Sequence, residues 1–420
     1  MATAKALFFL GFVFLSCNLI GVSGVLELRG SFIPIIPNEG PAIFDVTKFG
    51  AVADDMTDNI DAFRAAWGQA CKNSTIQAKV LIPAGTFRAA QTMFAGPCTS
   101  PKPITVEVIG TIKANTDLSE YVSPEWFTFL EIDGFVLTGK GVFDGQGAVS
   151  WPFNDCRQTN GNCAPLPSVS IFLSLKFDKV NNSMVTNITS LNSMQFHFHL
   201  HGCNNISLFN LNITAPGNSP NTDGIHISSS NGIKVFSSII GTGDDCISIG
   251  HSTSNITITD ITCGPGHGIS VGSLGKRPEE RSVNGVTVTN CTFVNTTNGA
   301  RIKTWMGMVP AEAKNITYEG LIMNGVQNPI VIDQSYGSKT LRTASTSVWK
   351  ISDIHFRKIK GTTVSNVAVS LQCSILNPCE GVEIADVDLA YAGRLANTTF
   401  ISSCLNAKAI FGGILNPPAC

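Results

Sequence analysis

Three carboxylates, an imidazole and two cations recur at spacings that could gather them around one bond. They stand in Asn221-Thr222-Asp223-Gly224, Gly243-Asp244-Asp245-Cys246, Gly266-His267-Gly268 and Arg301-Ile302-Lys303. Asp223 to Asp245 is 22 residues, Asp245 to His267 is another 22, and Arg301 follows 34 later. Carboxylates held close together cannot all ionise cheaply, so repulsion should raise one pKa while its neighbours stay anionic. One acid and one base is what glycoside hydrolysis requires. On a strand, Arg301 and Lys303 face the same side, and two cations beside three acids suggest an anionic substrate. Taken singly, each Asp reads as a turn residue and His267, between two glycines, as a tight turn. It is the common spacing that makes them a site.

That spacing matters only if the chain climbs about one rung per 22 residues. From Asn181 onward a phrase recurs: a polar residue, a short run rich in Ile, Val and Thr, then a turn with Gly or Asn. Its starts fall at Asn181, Asn205, Gly232, Asn255, Gly285, Asn315, Ile351 and Gly381, a solenoid period. Runs such as Ser207–Ile213 are too short and too β-branched for helices, so the expected fold is an all-β, single-domain parallel β-helix. Stacked strands would bring equivalent side chains within roughly 5 Å, aligning Asp223, the Asp244/Asp245 pair and His267. Asp244 and Asp245 would point to opposite faces of an ideal strand, so the backbone must turn or bulge there, and Gly243 eases it. An open solenoid end needs a lid. A helix from Asp58 to about Cys71, capped by Thr57 and with Ile60, Phe63, Trp67 and Ala70 on one face, is expected to supply it.

Composition narrows the function. Of 420 residues 43% are hydrophobic and 14% charged, which excludes a disordered chain, and 28 basic against 30 acidic residues give no footprint for nucleic acid. Residues 1–24 read as a secretory signal, with Lys5, an apolar stretch from Ala6 to Ile20 and the small residues Val22-Ser23-Gly24; 25–420 would be the mature domain. Ser16, Cys17 and Asn18 interrupt the apolar stretch, against a membrane span, so no membrane partner is expected after cleavage. Removing Cys17 leaves twelve of 13 cysteines, an even number suited to disulfides in an exported chain. Close spacing suggests Cys156/Cys163, Cys373/Cys379 and Cys404/Cys420. Ten Asn-x-Ser/Thr acceptors, at Asn73, Asn181, Asn187, Asn205, Asn212, Asn255, Asn290, Asn295, Asn315 and Asn397, suit a secreted glycoprotein. His197, His199 and His201 alternate, so a strand would present all three on one face; zinc binding is the weaker reading beside ordinary packing.

The clusters Ser219-Pro220-Asn221-Thr222-Asp223-Gly224-Ile225-His226, Thr242–Cys246, Cys263–Ser270 and Arg301–Trp305 resemble the plant polygalacturonases of glycoside hydrolase family 28. Similarity extends to Phe44-Asp45-Val46, Asp144-Gly145-Gln146-Gly147 and Pro329–Gln334, nearly the whole mature chain. The resemblance implies a right-handed β-helix that hydrolyses α-1,4 linkages of polygalacturonate with inversion, using no metal and no organic cofactor. Carried over, Asp244 is the general acid, Asp223 and Asp245 activate water, and His267 holds the acid in its working state. Arg301 and Lys303 would bind a galacturonate carboxylate, with Asn221 and Tyr336 completing the subsite. The family also favours Cys246 with Cys263, and Cys71 with Cys98 fits as well, leaving Cys203 and Cys291 unassigned. Two residues depart from related plant sequences: Gly337, where Cys often follows the tyrosine, and Asp55, where Gly is usual.

A secreted, monomeric hydrolase of cell-wall pectin is therefore expected. A non-catalytic pectin-binding β-helix would have lost one of the three acids, and none is lost. A pectate lyase would cut by β-elimination with calcium and an arginine base. Leu371-Gln372-Cys373-Ser374 and Asn377-Pro378-Cys379 look most like the pollen exopolygalacturonases, which favours exo over endo cleavage.

Overall fold

Alternation with a period of two makes each short run a strand with one buried face. In Ile225–Ser228, Ile225 and Ile227 are fully buried while His226 turns outward. The same pattern repeats rung after rung, and strands of successive turns pair in parallel. The computed structural model describes residues 40–154, 173–338, 345–394 and 399–420. The signal segment 1–24, the Cys156/Cys163 pair and Asn397 lie outside the described residues. Residues Pro41–Cys420 form one compact unit, a parallel β-helix as the repeat predicts.

Eleven strands, from Thr92–Ala95 to Ile401–Leu405, stack in chain order as one sheet. Its inner face carries continuous apolar columns. One runs Phe94, Phe129, Phe177, Leu200, Ile227, Ile249, Val271, Ile302, Ile332 and Leu371, all buried. Twenty-one further strands form the rest of the wall. Burial on the inner face drives the winding, and the outer face is left to polar chemistry.

Turns between strands require left-handed backbone, which Gly and Asn tolerate best. Asn182, Asn205, Gly232, Asn255, Gly285, Asn315, Asp353 and Gly381 stack at one bend with φ between +48° and +76°. The expected repeat starts at Asn181 and Ile351 are therefore displaced: the equivalent residues are Asn182 and Asp353. The backbone geometry sets the phase, and an aspartate at 353 does the work the eye seeks in Asn or Gly.

A helix does pack against the first rungs, but it is shorter and capped differently than expected. It spans Ile60–Gly68 and widens into one looser turn at Gln69–Asn73. Thr57 is not its cap. Its backbone N–H and hydroxyl both donate to Asp54, and Asp58 Oδ1 instead accepts from Ile60 N at 3.1 Å. Trp67 stacks on Phe94 with ring centroids 4.7 Å apart and donates Nε1 to Ala95 O at 3.0 Å, which seats the helix over the edge strand. Disulfides Cys71–Cys98, Cys246–Cys263, Cys373–Cys379 and Cys404–Cys420 are formed, whereas Cys203 and Cys291 are free and buried. Of the two departures, Gly337 lies against Trp305, where an added Cβ would come within 2.0 Å of the ring. Asp55 takes φ +60° and is anchored by Lys113 Nζ at 2.6 Å.

Candidate active site

Register in the eleven-stranded sheet decides which side chains meet. Ile225, Ile247, Ile269 and Ala300 are paired neighbours, so Asp223, Asp245, His267 and Asn298 each stand two residues before an aligned position. One step outward, His226, Ser248, Ser270 and Arg301 form a second column in direct register.

Both Asp244 and Asp245 reach the site because Thr242–Cys246 is a bend and not a strand. Gly243 makes that bend possible through closeness: an added Cβ would lie 1.9 Å from Ser219 O. Its N–H is held by Thr222 Oγ1 at 2.9 Å. Asp244 Oδ1 accepts from its neighbour Asp245 N at 2.9 Å and lies 2.7 Å from His267 Nδ1.

Asp245 is 1% exposed and enclosed by donors. Arg301 Nη2 donates to Oδ1 at 2.6 Å, Lys303 Nζ to Oδ2 at 2.8 Å, and Ser270 Oγ to Oδ1 at 3.0 Å. Arg301 Nε also binds Ser270 Oγ at 2.9 Å, so the serine locks the guanidinium plane. Two cations and a hydroxyl compensate the burial of this carboxylate. Asp245 in turn pushes the Arg301 guanidinium above its ordinary range, against the desolvation that would lower it.

Asp223, 7% exposed, has no such cage. Its Oδ2 accepts from Ser248 Oγ at 2.7 Å. Burial, then the charges of Asp244 and Asp245, push its carboxyl well above the usual range.

The remaining expected residues divide. Tyr336 stands beside Lys303, whose Nζ lies 5.2 Å from the ring centroid. Asn221 adopts φ +51° and donates Nδ2 to Asn154 Oδ1 at 2.9 Å. A cavity of about 310 Å³ opens beside the cations, lined by Asn298, Arg301, Lys303, Asp333, Tyr336 and Gln372 among others. Asp244, Asp245 and His267 bring potential ligand atoms within 4.8 Å of one another. With Arg301 and Lys303 already bonded to Asp245, that group is poorly suited to a further cation. The histidine triplet does not share a face. His197 is fully buried, precedes the strand Phe198–His201 and bonds Ser190 Oγ at 2.8 Å, while His199 and His201 both bond Ser228 Oγ at 3.2 Å.

Ser248, Ser270, His226 and Asn298 were missed as site residues. The signal existed: 226, 248 and 270 repeat the same 22-residue step as 223, 245 and 267.

A parallel β-helix whose polar groove holds buried acids beside fixed cations defines a class of carbohydrate-processing enzymes. The match to the family model of glycosyl hydrolases family 28, over residues 71–411, makes the membership specific: the chain belongs to that family and is a glycosidase. It is 43% identical over 424 residues to an exopolygalacturonase of Arabidopsis thaliana, covering 99% of this chain and 96% of that protein. To a polygalacturonase of Gossypium barbadense it is 44% identical over 383 residues, covering 90% and 91%. The solved exopolygalacturonase of Thermotoga maritima superposes with a TM-score of 0.70 at 18% identity, covering 85% of this chain and 88% of that one. The shared architecture is the right-handed parallel β-helix.

Proposed function

We propose that the protein is a secreted polygalacturonase that hydrolyses α-1,4 bonds between galacturonates of cell-wall pectin, releasing single units from chain ends. The observation that carries this reading is the meeting of the His267–Asp244 pair with Asp245, caged by Arg301 and Lys303, beside a cation-lined cavity. Asp244 donates a proton to the leaving oxygen. Its carboxyl is held in place by Asp245 N–H and His267, which also stabilise the carboxylate left behind. Asp245 and Asp223 polarise the attacking water. Arg301 and Lys303 serve twice: they neutralise Asp245 and offer their remaining donors to a sugar carboxylate, with Tyr336 as the wall beside Lys303. Asn221 positions the Asp223 bend through its link to Asn154.

Exo action rests on relatives named exopolygalacturonases, and export rests on the leader-like segment 1–24 together with the plant relatives. No helix among the described residues is long and apolar enough to cross a membrane. Product analysis on polygalacturonate tests the whole reading. Monomer alone supports exo hydrolysis, and a ladder of oligomers means endo cleavage. An unsaturated, ultraviolet-absorbing product lost on chelation means a lyase. Binding without products means a lectin-like protein.

A further inference from the structure

Asp223 faces a difficulty as a base. It must be ionised to draw a proton from water, yet burial and two neighbouring carboxylates oppose its charge. Lys303 favours its ionised form, but that ammonium is bonded to Asp245.

One neutral donor bears on it directly. Ser248 Oγ donates to Asp223 Oδ2 at 2.7 Å, and His226 Nδ1 lies 2.8 Å from the same Oγ. A hydroxyl has a single hydrogen. With that hydrogen committed to Asp223, Ser248 can only accept from the imidazole, so His226 carries its proton on Nδ1. Desolvation holds the His226 imidazole down to about 4, so it is neutral and keeps one fixed tautomer in the working range. The ring itself is clamped. Phe196 stacks on it with centroids 5.0 Å apart, and His199 stands at 5.1 Å on the preceding rung. Gly250 leaves it room, since an added Cβ would approach Cε1 and Nε2 to 3.3 Å.

We infer that His226 and Ser248 form a positioning relay that aims one hydrogen at Asp223 and favours its ionised form for water activation. The inference rests on the hydrolytic reading above. The relay acts within a charged neighbourhood: Asp223 faces Asp244, Asp245 and Lys303, and His226 faces Asp245, Lys303, His199, His201 and His251.

The full chain tests it through pH profiles of kcat/KM on polygalacturonate, which report groups of the free enzyme. Losing a hydrogen bond to a charged group should move the ascending limb of S248A about one pH unit toward alkaline. S248T restores the hydroxyl and the limb. Asparagine places its amide nitrogen where imidazole Nδ1 sits, and glutamine places it farther out. H226N therefore keeps the wild-type limb while H226Q shifts it in the direction of S248A. A merely structural histidine would make both equally poor without moving the limb. Coincident limbs for S248A and wild type, or for H226N and H226Q, overturn the relay; if either position fails to fold when changed, the pair at the other decides. D223N separates the two failures. Wild-type turnover in D223N sinks the hydrolytic reading itself, whereas an inactive D223N with an unmoved S248A limb sinks only the relay.

Discussion

Two polar columns climb this solenoid, and identical stacking gives them opposite energetics. At the outer bend, Asn205 Nδ2 donates to Asn182 Oδ1 and Asn255 Nδ2 to Asn231 Oδ1, both at 2.8 Å. An amide is donor and acceptor at once, so each rung satisfies the next. At the groove, the same one-per-rung stacking sets Asp223, Asp245 and His267 in line. Carboxylates only accept when ionised, so this column cannot satisfy itself and depends on Ser248, Ser270 and Arg301 from the adjacent column and on Lys303 two residues beyond. A repeat that stabilises with amides becomes reactive when acids replace them.

The sharpest way to break that contrast is to convert an acid to an amide. Asp244→Asn should lower kcat by roughly 10²–10⁴ with melting little changed, since an uncharged isostere keeps the bonds from Asp245 N–H and His267. Steady-state turnover with a parallel thermal melt checks this, and near-normal kcat would remove Asp244 from proton transfer. Next in size is the cation cage. Lys303→Ala leaves Asp245 buried with one cation and should cost about 3 kcal/mol of stability. The same variant should bind polygalacturonate more weakly. Denaturant unfolding and binding isotherms read the two effects separately, and an unchanged affinity would confine Lys303 to supporting Asp245.

Much of this contrast was visible in the letters, and its invisible parts have definite causes. The strand repeat is legible because inward Ile and Val alternate with outward polar residues, and bends demand Asn or Gly. The site's alignment is legible because 22-residue steps conserve register. Thr57 misled because Asp54 competes for the same hydroxyl and N–H groups, which no helix-cap rule weighs. His197 misled because the chain bends at that residue, so alternation does not begin until Phe198. The pairing of Arg301 and Lys303 with Asp245 was hidden by the longer excursion 275–282, where buried Glu280 accepts from Gly275 and Arg277 N–H groups and lengthens that turn. Fixed-period counting fails across such an insertion, although Ser270 and Arg301 are direct neighbours.

The third test compares acidity with stability. Because the Asp223 carboxyl is raised in the fold, the native protein retains a proton that the unfolded chain releases. Its contribution is full below the ordinary carboxylate range and is lost as pH rises through the folded value. Asp223→Asn should therefore melt about 2 °C higher at neutral pH, with the gain vanishing on acidification into the ordinary range. A gain independent of pH would mean that repulsion is not what strains Asp223.

The effect smallest on activity belongs to the amide column, and it sets the scale for the rest. Asn255 holds φ +56° and bonds the rung below. Alanine there loses the bond and must adopt left-handed backbone, a cost of about 1–2 kcal/mol. Glycine loses the bond but tolerates the backbone, so Asn255→Gly should cost less than Asn255→Ala, and both should leave kcat/KM untouched. If the alanine variant altered turnover as well as stability, the bend and the groove would be mechanically joined, and the division between a self-satisfied column and a reactive one would fail.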